Sequence, residues 1–228
     1  MGEQALFKID LHIHTPASRC GKDRDSPELP SRIIRQSMRA GLSMIAITDH
    51  HAAGYIDRVR EAAALFDSPP TVLPGIELST QALGVPDIYF LALFSENFPV
   101  EKIKDLMEEL EIPPQETGNC HYRIKKPIDT ILETIYRREG IAVSNHMDKN
   151  EARLKFVPEL TGRYGIRFFD LKFPESASLI QGLAPSDRFT FFTFSDVHSA
   201  DGIGQRFSQV ELPEPSFAGI RSLHPVSA

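Results

Sequence analysis

Five apolar segments of this 228-residue chain each run into residues able to hold a metal ion. They are Asp10-Leu11-His12-Ile13-His14, Thr48-Asp49-His50-His51, Gly75-Ile76-Glu77, Ser144-Asn145-His146-Met147-Asp148 and Ser195-Asp196-Val197-His198. Short apolar runs read as strands buried on both faces, and such strands belong to parallel α/β sheets. Donor residues repeated at the same end of each strand gather at one edge of the sheet, where α/β proteins carry their functional groups. The pattern points to a hydrolase that uses several metal ions.

The stretches between these segments carry helical periods. Residues 27–41 place Ile33, Ile34 and Met38 on one face and close on Gly41, and residues 55–66 form the next helix before the Pro69-Pro70 break. Strands are expected over 6–14, 44–48, 71–80, 87–95, 141–143, 166–173 and 189–194, with further helices over 100–110 and 127–140. Residues 111–127 contain Pro113-Pro114 and Gly118 without an apolar period, so they read as an irregular loop. The alternation implies an α/β chain of about seven βα repeats on a parallel sheet, either a barrel or doubly wound. We read residues 1–228 as one domain.

Charge and cysteine content narrow the function. With 25 Lys plus Arg against 31 Asp plus Glu, the formal charge of -6 gives no general attraction to nucleic acid or to anionic membranes. No apolar stretch approaches the length of a membrane span and no leader begins at Met1, so a cytoplasmic protein without membrane association is expected. Cys20 and Cys120 are the only cysteines, too few for a disulfide framework.

Residues two apart on a strand share a face, so Asp10, His12 and His14 project together and the two imidazoles can chelate one ion. Asp196 and His198 repeat that spacing. Glu77 lies in an apolar strand where a carboxylate needs a partner, and bridging two cations is one solution. His50 and His51 are adjacent, so at most one binds metal, and Asp49 can orient an imidazole. His146 follows a short apolar strand, while His121 and His224 read as solvated. Arg19, Lys22, Lys149 and Arg206 lie beside the motifs and are candidate clamps for a substrate phosphate. Asp196 or a neighbouring His, with His198 the candidate, is the expected proton acceptor. Gly202 and Gly204 lack the strand-to-helix context of a phosphate loop.

Taken in order from Asp10 to Gly204, these motifs resemble those of the PHP superfamily, named for polymerase and histidinol phosphatase. The resemblance implies a distorted (β/α)7 barrel that binds two or three divalent ions, zinc, manganese or iron, and most often hydrolyses phosphoesters. It implies one ion held by His12, His14, Glu77 and Asp196, a second shared between Glu77 and His146, and a third held by His50 and His198. Many members place an Asp or His just after His-x-His, where this chain reads Ser18-Arg19-Cys20-Gly21, and a His after the Glu motif, where it reads Asp87-Ile88-Tyr89-Phe90. Cys20 can ligate a metal whereas Arg19 cannot, so two ion positions are expected to be short of protein ligands. The expected substrate is a phosphorylated small molecule, a nucleotide or a nucleic-acid end. An amidohydrolase using the same cluster, or a metal-stabilised module serving a protein partner, are the alternatives.

Overall fold

A computed structural model describes residues 4–82, 84–185 and 188–224. Eight strands form one sheet: β1 (Ala5–Ile13), β2 (Met44–Ile47), β3 (Thr71–Ala82), β4 (Val85–Leu93), β5 (Ile141–Asn145), β6 (Phe168–Asp170), β7 (Thr190–Phe192) and β8 (Ser208–Leu212). Helices α1 (Leu29–Arg39), α2 (Ile56–Ala63), α3 (Val100–Glu109), α4 (Ile128–Tyr136), α5 (Glu151–Gly162), α6 (Ala177–Leu183) and α7 (Phe217–Arg221) are interleaved with them. The strand order is β7-β6-β5-β4-β3-β2-β1-β8. β8 pairs antiparallel with the first half of β1, and the chain beyond β7 takes over the same edge higher up. There Val197 bridges Ile13 in parallel, the His14 N–H donates to the Val197 carbonyl at 2.9 Å, and the Ser195 N–H donates to Asp10 at 3.1 Å. These contacts bring the sheet nearly to closure as a distorted α/β barrel.

The expectation of a parallel sheet throughout is corrected at β4, which runs antiparallel to both β3 and β5. Ala82 pairs with Val85 across the β3–β4 turn, so the two expected strands are joined as a hairpin. Strand β3 runs on from Glu77 to Ala82 before it turns. Residues 111–127 are irregular apart from a single 3-10 turn at Pro114–Glu116, and Ile124 bridges Thr80.

Period-2 alternation builds the interior. Ile9, Leu11, Met44, Ala46, Leu73, Leu91, Leu93, Ile141, Val143, Phe168, Phe192 and Phe194 form one buried cluster inside the barrel, closed from below by Phe217 and Ile220 of α7. The intervening positions, among them Ile45, Ile47, Ile76, Leu78, Phe90 and Ala92, pack outward against Ile33, Ile34, Val59, Ile103, Ile131 and Leu160 of the helices. Each fully buried side chain of this size contributes about 1.5–3 kcal/mol. Continuing the interior positions toward the carboxyl ends leads to Glu77 on β3, Asn145 on β5, Asp170 on β6 and Asp196 after β7. In β1 the register slips between Asp10 and Ile13, a bulge that re-aims the strand end carrying His12 and His14.

Candidate metal centre

The donors converge at one mouth of the barrel. His12 Nε2 and His14 Nε2 stand 3.0 Å apart, and Asp196 Oδ1 lies 3.4 Å from the first and 3.3 Å from the second. Glu77 Oε2 lies 3.5 Å from His12 Nε2 and 3.4 Å from His14 Nε2. Ligands about 2.1 Å from a common ion stand about 3.0–3.4 Å from one another, so the two imidazoles have the spacing of a shared coordination sphere with Asp196, and the same spacing to Glu77. Glu77 Oε2 also lies 2.9 Å from His50 Nδ1, yet neither atom has a hydrogen-bond partner despite burial. His146 Nε2 is buried and unpartnered as well. Buried polar atoms without partners are costly, and a cation placed between them removes that cost.

The imidazoles are held with defined nitrogens inward. Ser18 Oγ donates to Asp49 Oδ1 at 2.7 Å, so its oxygen accepts from the His50 N–H and from His14 Nδ1, both at 3.0 Å. His14 then carries its proton on Nδ1 and turns an Nε2 lone pair toward the centre. His12 Nδ1 faces Asp170 Oδ2 at 3.2 Å, which fixes its ring in the same sense. Asp170 also accepts from the Phe194 N–H at 2.8 Å and lies 3.8 Å from His146 Nε2. On its other side His146 Nδ1 lies 3.8 Å from Asp196 Oδ2. The His198 ring is stacked 4.3 Å from that of His14, and its Nδ1 lies 3.0 Å from the Asp196 carbonyl. Ligand atoms group within 4.8 Å of one another in four His-containing sets among the described residues: His12, His14, Asp196; His12, His146, Asp170; His14, His50, His198; and Cys20, His50, Cys120.

Electrostatics agree with a cation-seeking site. Burial alone would raise the Glu77 carboxyl, but the His50 and His12 imidazoles beside it hold it well below the usual carboxylate range. Burial likewise lowers His12, and the Asp196, Glu77 and Asp170 carboxylates reverse this and hold a proton on it. Surroundings that favour an imidazolium also favour a metal ion in place of that proton. Burial keeps His14 below its ordinary value and pushes His146 down to about 4, leaving both neutral with lone pairs to offer. His146 and Asp196 adopt left-handed backbone, φ 53° each, the kind of local strain that concentrates at functional sites.

Other candidates lie elsewhere. Asp49 accepts from the backbone and hydroxyl of both Thr15 and Ser18, so it orders the loop after β1 and acts on imidazoles only through Ser18. Asp10 accepts from the backbone of Ser195 and of His12. His51 Nε2 contacts Ser79 Oγ at 2.9 Å. Arg19 is exposed and donates to the Gln115 carbonyl, Arg206 donates to the Leu171 carbonyl, and Lys149 is exposed beside His146. Lys22 gives its backbone N–H to the His198 carbonyl at 2.7 Å. His121 is exposed as expected, but the expectation of a solvated His224 is corrected: it packs edge-on against Phe168 and contacts Thr190 at the opposite end of the barrel. Tyr89 lies between the Arg123 and Arg153 guanidiniums, 5.2 and 5.1 Å from its ring centre, and accepts from Arg123 at 2.9 Å. Three residues that the sequence reading passed over belong to the centre: Asp170, Ser18 and Asn145, whose amide donates to Glu77 Oε1 at 2.7 Å. The signal for Asp170 was a lone carboxylate ending the apolar run Phe168-Phe169.

The chain matches no family model and no curated protein. Solved structures do resemble it. A protein of Bifidobacterium adolescentis described as a metal-dependent phosphoesterase superposes with a TM-score of 0.63 at 15% identity, covering 94% of both chains. A lesion-specific endonuclease of Pyrococcus furiosus gives 0.68 at 15% identity over 96% of this chain, which spans only 55% of the endonuclease. An amidohydrolase of Chromobacterium violaceum with bound sulfate gives 0.61 at 15% identity, covering 91% of this chain and 92% of that one. Among the described residues no helix is long and apolar enough to cross a membrane. The fold this chain shares with these structures is a distorted α/β barrel.

Proposed function

We propose that this protein is a metal-dependent phosphoesterase acting on a small phosphomonoester, a nucleotide or a nucleic-acid end. The observation that carries the reading is the set of donor atoms from His12, His14, Glu77 and Asp196, separated by 3.0–3.5 Å in five pairs at one mouth of the barrel. His146 with Asp170 and Asp196, and His50 with His198 and His14, are the residues that would hold further divalent ions, zinc, manganese or iron. Such ions, when bound, supply Lewis acidity toward a phosphoryl oxygen and ionise water near neutral pH.

The chain's own groups supply the remainder. In this proposal Asp196, partly exposed at the mouth, accepts a proton from the attacking water, and the partly exposed His198 returns one to the leaving group when no ion occupies its ring nitrogen. Lys149 offers a solvent-facing cation beside His146, and Arg19 and Arg206, tied to loop carbonyls, add positive charge around it. The phosphoesterase and endonuclease among its structural neighbours support phosphorus as the target over a carbonyl carbon. Elemental analysis of the purified protein, paired with a panel of phosphomonoesters, nucleotides and single-stranded ends, tests the reading. We expect at least two ions per chain and turnover that inorganic phosphate inhibits. Hydrolysis of amides without any phosphoester turnover would assign the site to amidohydrolase chemistry instead.

A further inference from the structure

The chain's two cysteines, one hundred positions apart, meet at the edge of the metal centre. The thiols of Cys20 and Cys120 and a ring nitrogen of His50 lie within 4.8 Å of one another, and both cysteines are half-buried and free of disulfide. The meeting is built by the backbone. The Arg19 N–H donates to the Gly118 carbonyl at 2.8 Å, the Gly118 N–H donates to the His50 carbonyl at 3.0 Å, and the His50 N–H donates to Ser18 Oγ at 3.0 Å. Each cysteine is thus within two residues of a hydrogen bond that ties its loop to the other loop or to His50. Gly118 permits this approach: its φ is +77°, and a Cβ there would collide with the Ala17 carbonyl oxygen.

We propose that Cys20, Cys120 and His50 form a thiolate-bearing metal site, selective for zinc over magnesium or manganese. Two thiolates on a tetrahedral zinc, with arms of about 2.3 Å, stand about 3.8 Å apart, inside the 4.8 Å that bounds the distance between these two sulfurs. Two sulfur donors and one imidazole leave a fourth position open, the donor number of a zinc site that exchanges ligands with substrate or water. Thiolate is a soft donor, so the pair discriminates against the hard ions that carboxylates alone would accept. Cys20 supplies a ligand where its neighbour Arg19 cannot, and Cys120 brings the 111–127 loop to the metal cluster. It rests on the reading of His50 as a ligand and extends the phosphoesterase proposal to the identity of one ion.

Cobalt(II) substitution of the intact protein reads the site directly, because thiolate ligation gives a near-ultraviolet charge-transfer absorption that nitrogen and oxygen ligands do not. We expect that absorption in the wild type, its loss in Cys120→Ser and in Cys20→Ser with a fall of one zinc ion per chain, and its persistence in Asp196→Asn. Zinc, but not magnesium, should shield both wild-type thiols from a disulfide reagent, a measurement that needs no variant. Thiols that react freely at saturating zinc, or a cobalt spectrum without thiolate character, would overturn the proposal. Either result with metal still held at His12, His14 and Asp196 would leave the hydrolase reading standing, whereas a protein that binds cobalt only at the cysteines would remove that reading and keep this one.

Discussion

The two ends of the barrel differ in kind. At the carboxyl ends of β1, β3, β5, β6 and β7, buried imidazoles and carboxylates crowd to within 3.0–3.8 Å and are oriented by Ser18, Asn145 and Asp170. At the starts of β5 and β6 lies a cavity of about 770 Å³, lined by Tyr136, Tyr164, Arg167, Arg188, Arg221 and His224. That space is far from the chemistry. Volume in this fold marks where large side chains leave room, whereas the site is marked by polar side chains that burial obliges to find partners.

The contrast can be broken from either end. The largest effect is expected from Asp196→Asn, which keeps the shape of the mouth but removes a carboxylate next to His12, His14 and His146. Phosphoesterase turnover should fall about a thousandfold, the several kcal/mol that a metal site contributes, with an unchanged thermal unfolding midpoint once metal is removed from both proteins. Near-normal kcat in that variant would place the reaction elsewhere. Asp170→Asn sharpens the comparison by leaving His14, Glu77 and Asp196 in place while it removes the carboxylate that faces His12 Nδ1 and lies 3.8 Å from His146 Nε2. It should weaken metal affinity about 10–100-fold, read by competition with a chelating dye, because the carboxylate that fixes the ring is gone. The smallest effect belongs to the lower cavity: Arg221→Ala should leave kcat/KM within about twofold. A drop of tenfold or more would show that the two ends are coupled.

Much of the upper end was legible because each ligand motif follows an apolar strand, and strand periodicity carries its residues to a common edge. His12, His14, Glu77 and Asp196 came from that logic together with the family resemblance. Asp170 did not, since a single Asp after two phenylalanines has no spacing partner in the sequence and acquires meaning only when β6 is set beside β5 and β7. The antiparallel course of β4 was equally hidden, because an apolar run has the same period in both directions. Helix α5 escaped detection through Pro158 in its interior and the buried Arg153 on its inner face, although Asn150 caps it by accepting from the Arg153 N–H. Strand β8 alternates plainly over Ser208–Leu212, but no ligand motif drew attention to it.

The β3–β4 hairpin has a consequence for traffic at the mouth. From Glu77 the ribbon climbs five further residues to Ala82, about 17 Å at strand rise, and residues 122–124 are buttoned to it through Ser79 and Thr80. That makes a parapet beside the metal centre, with His146 next to it, since Asn145 pairs with Tyr89 on the second strand of the hairpin. Under the phosphoesterase proposal the hairpin bounds the site on its β3–β4 side, and a substrate body must extend away from that wall.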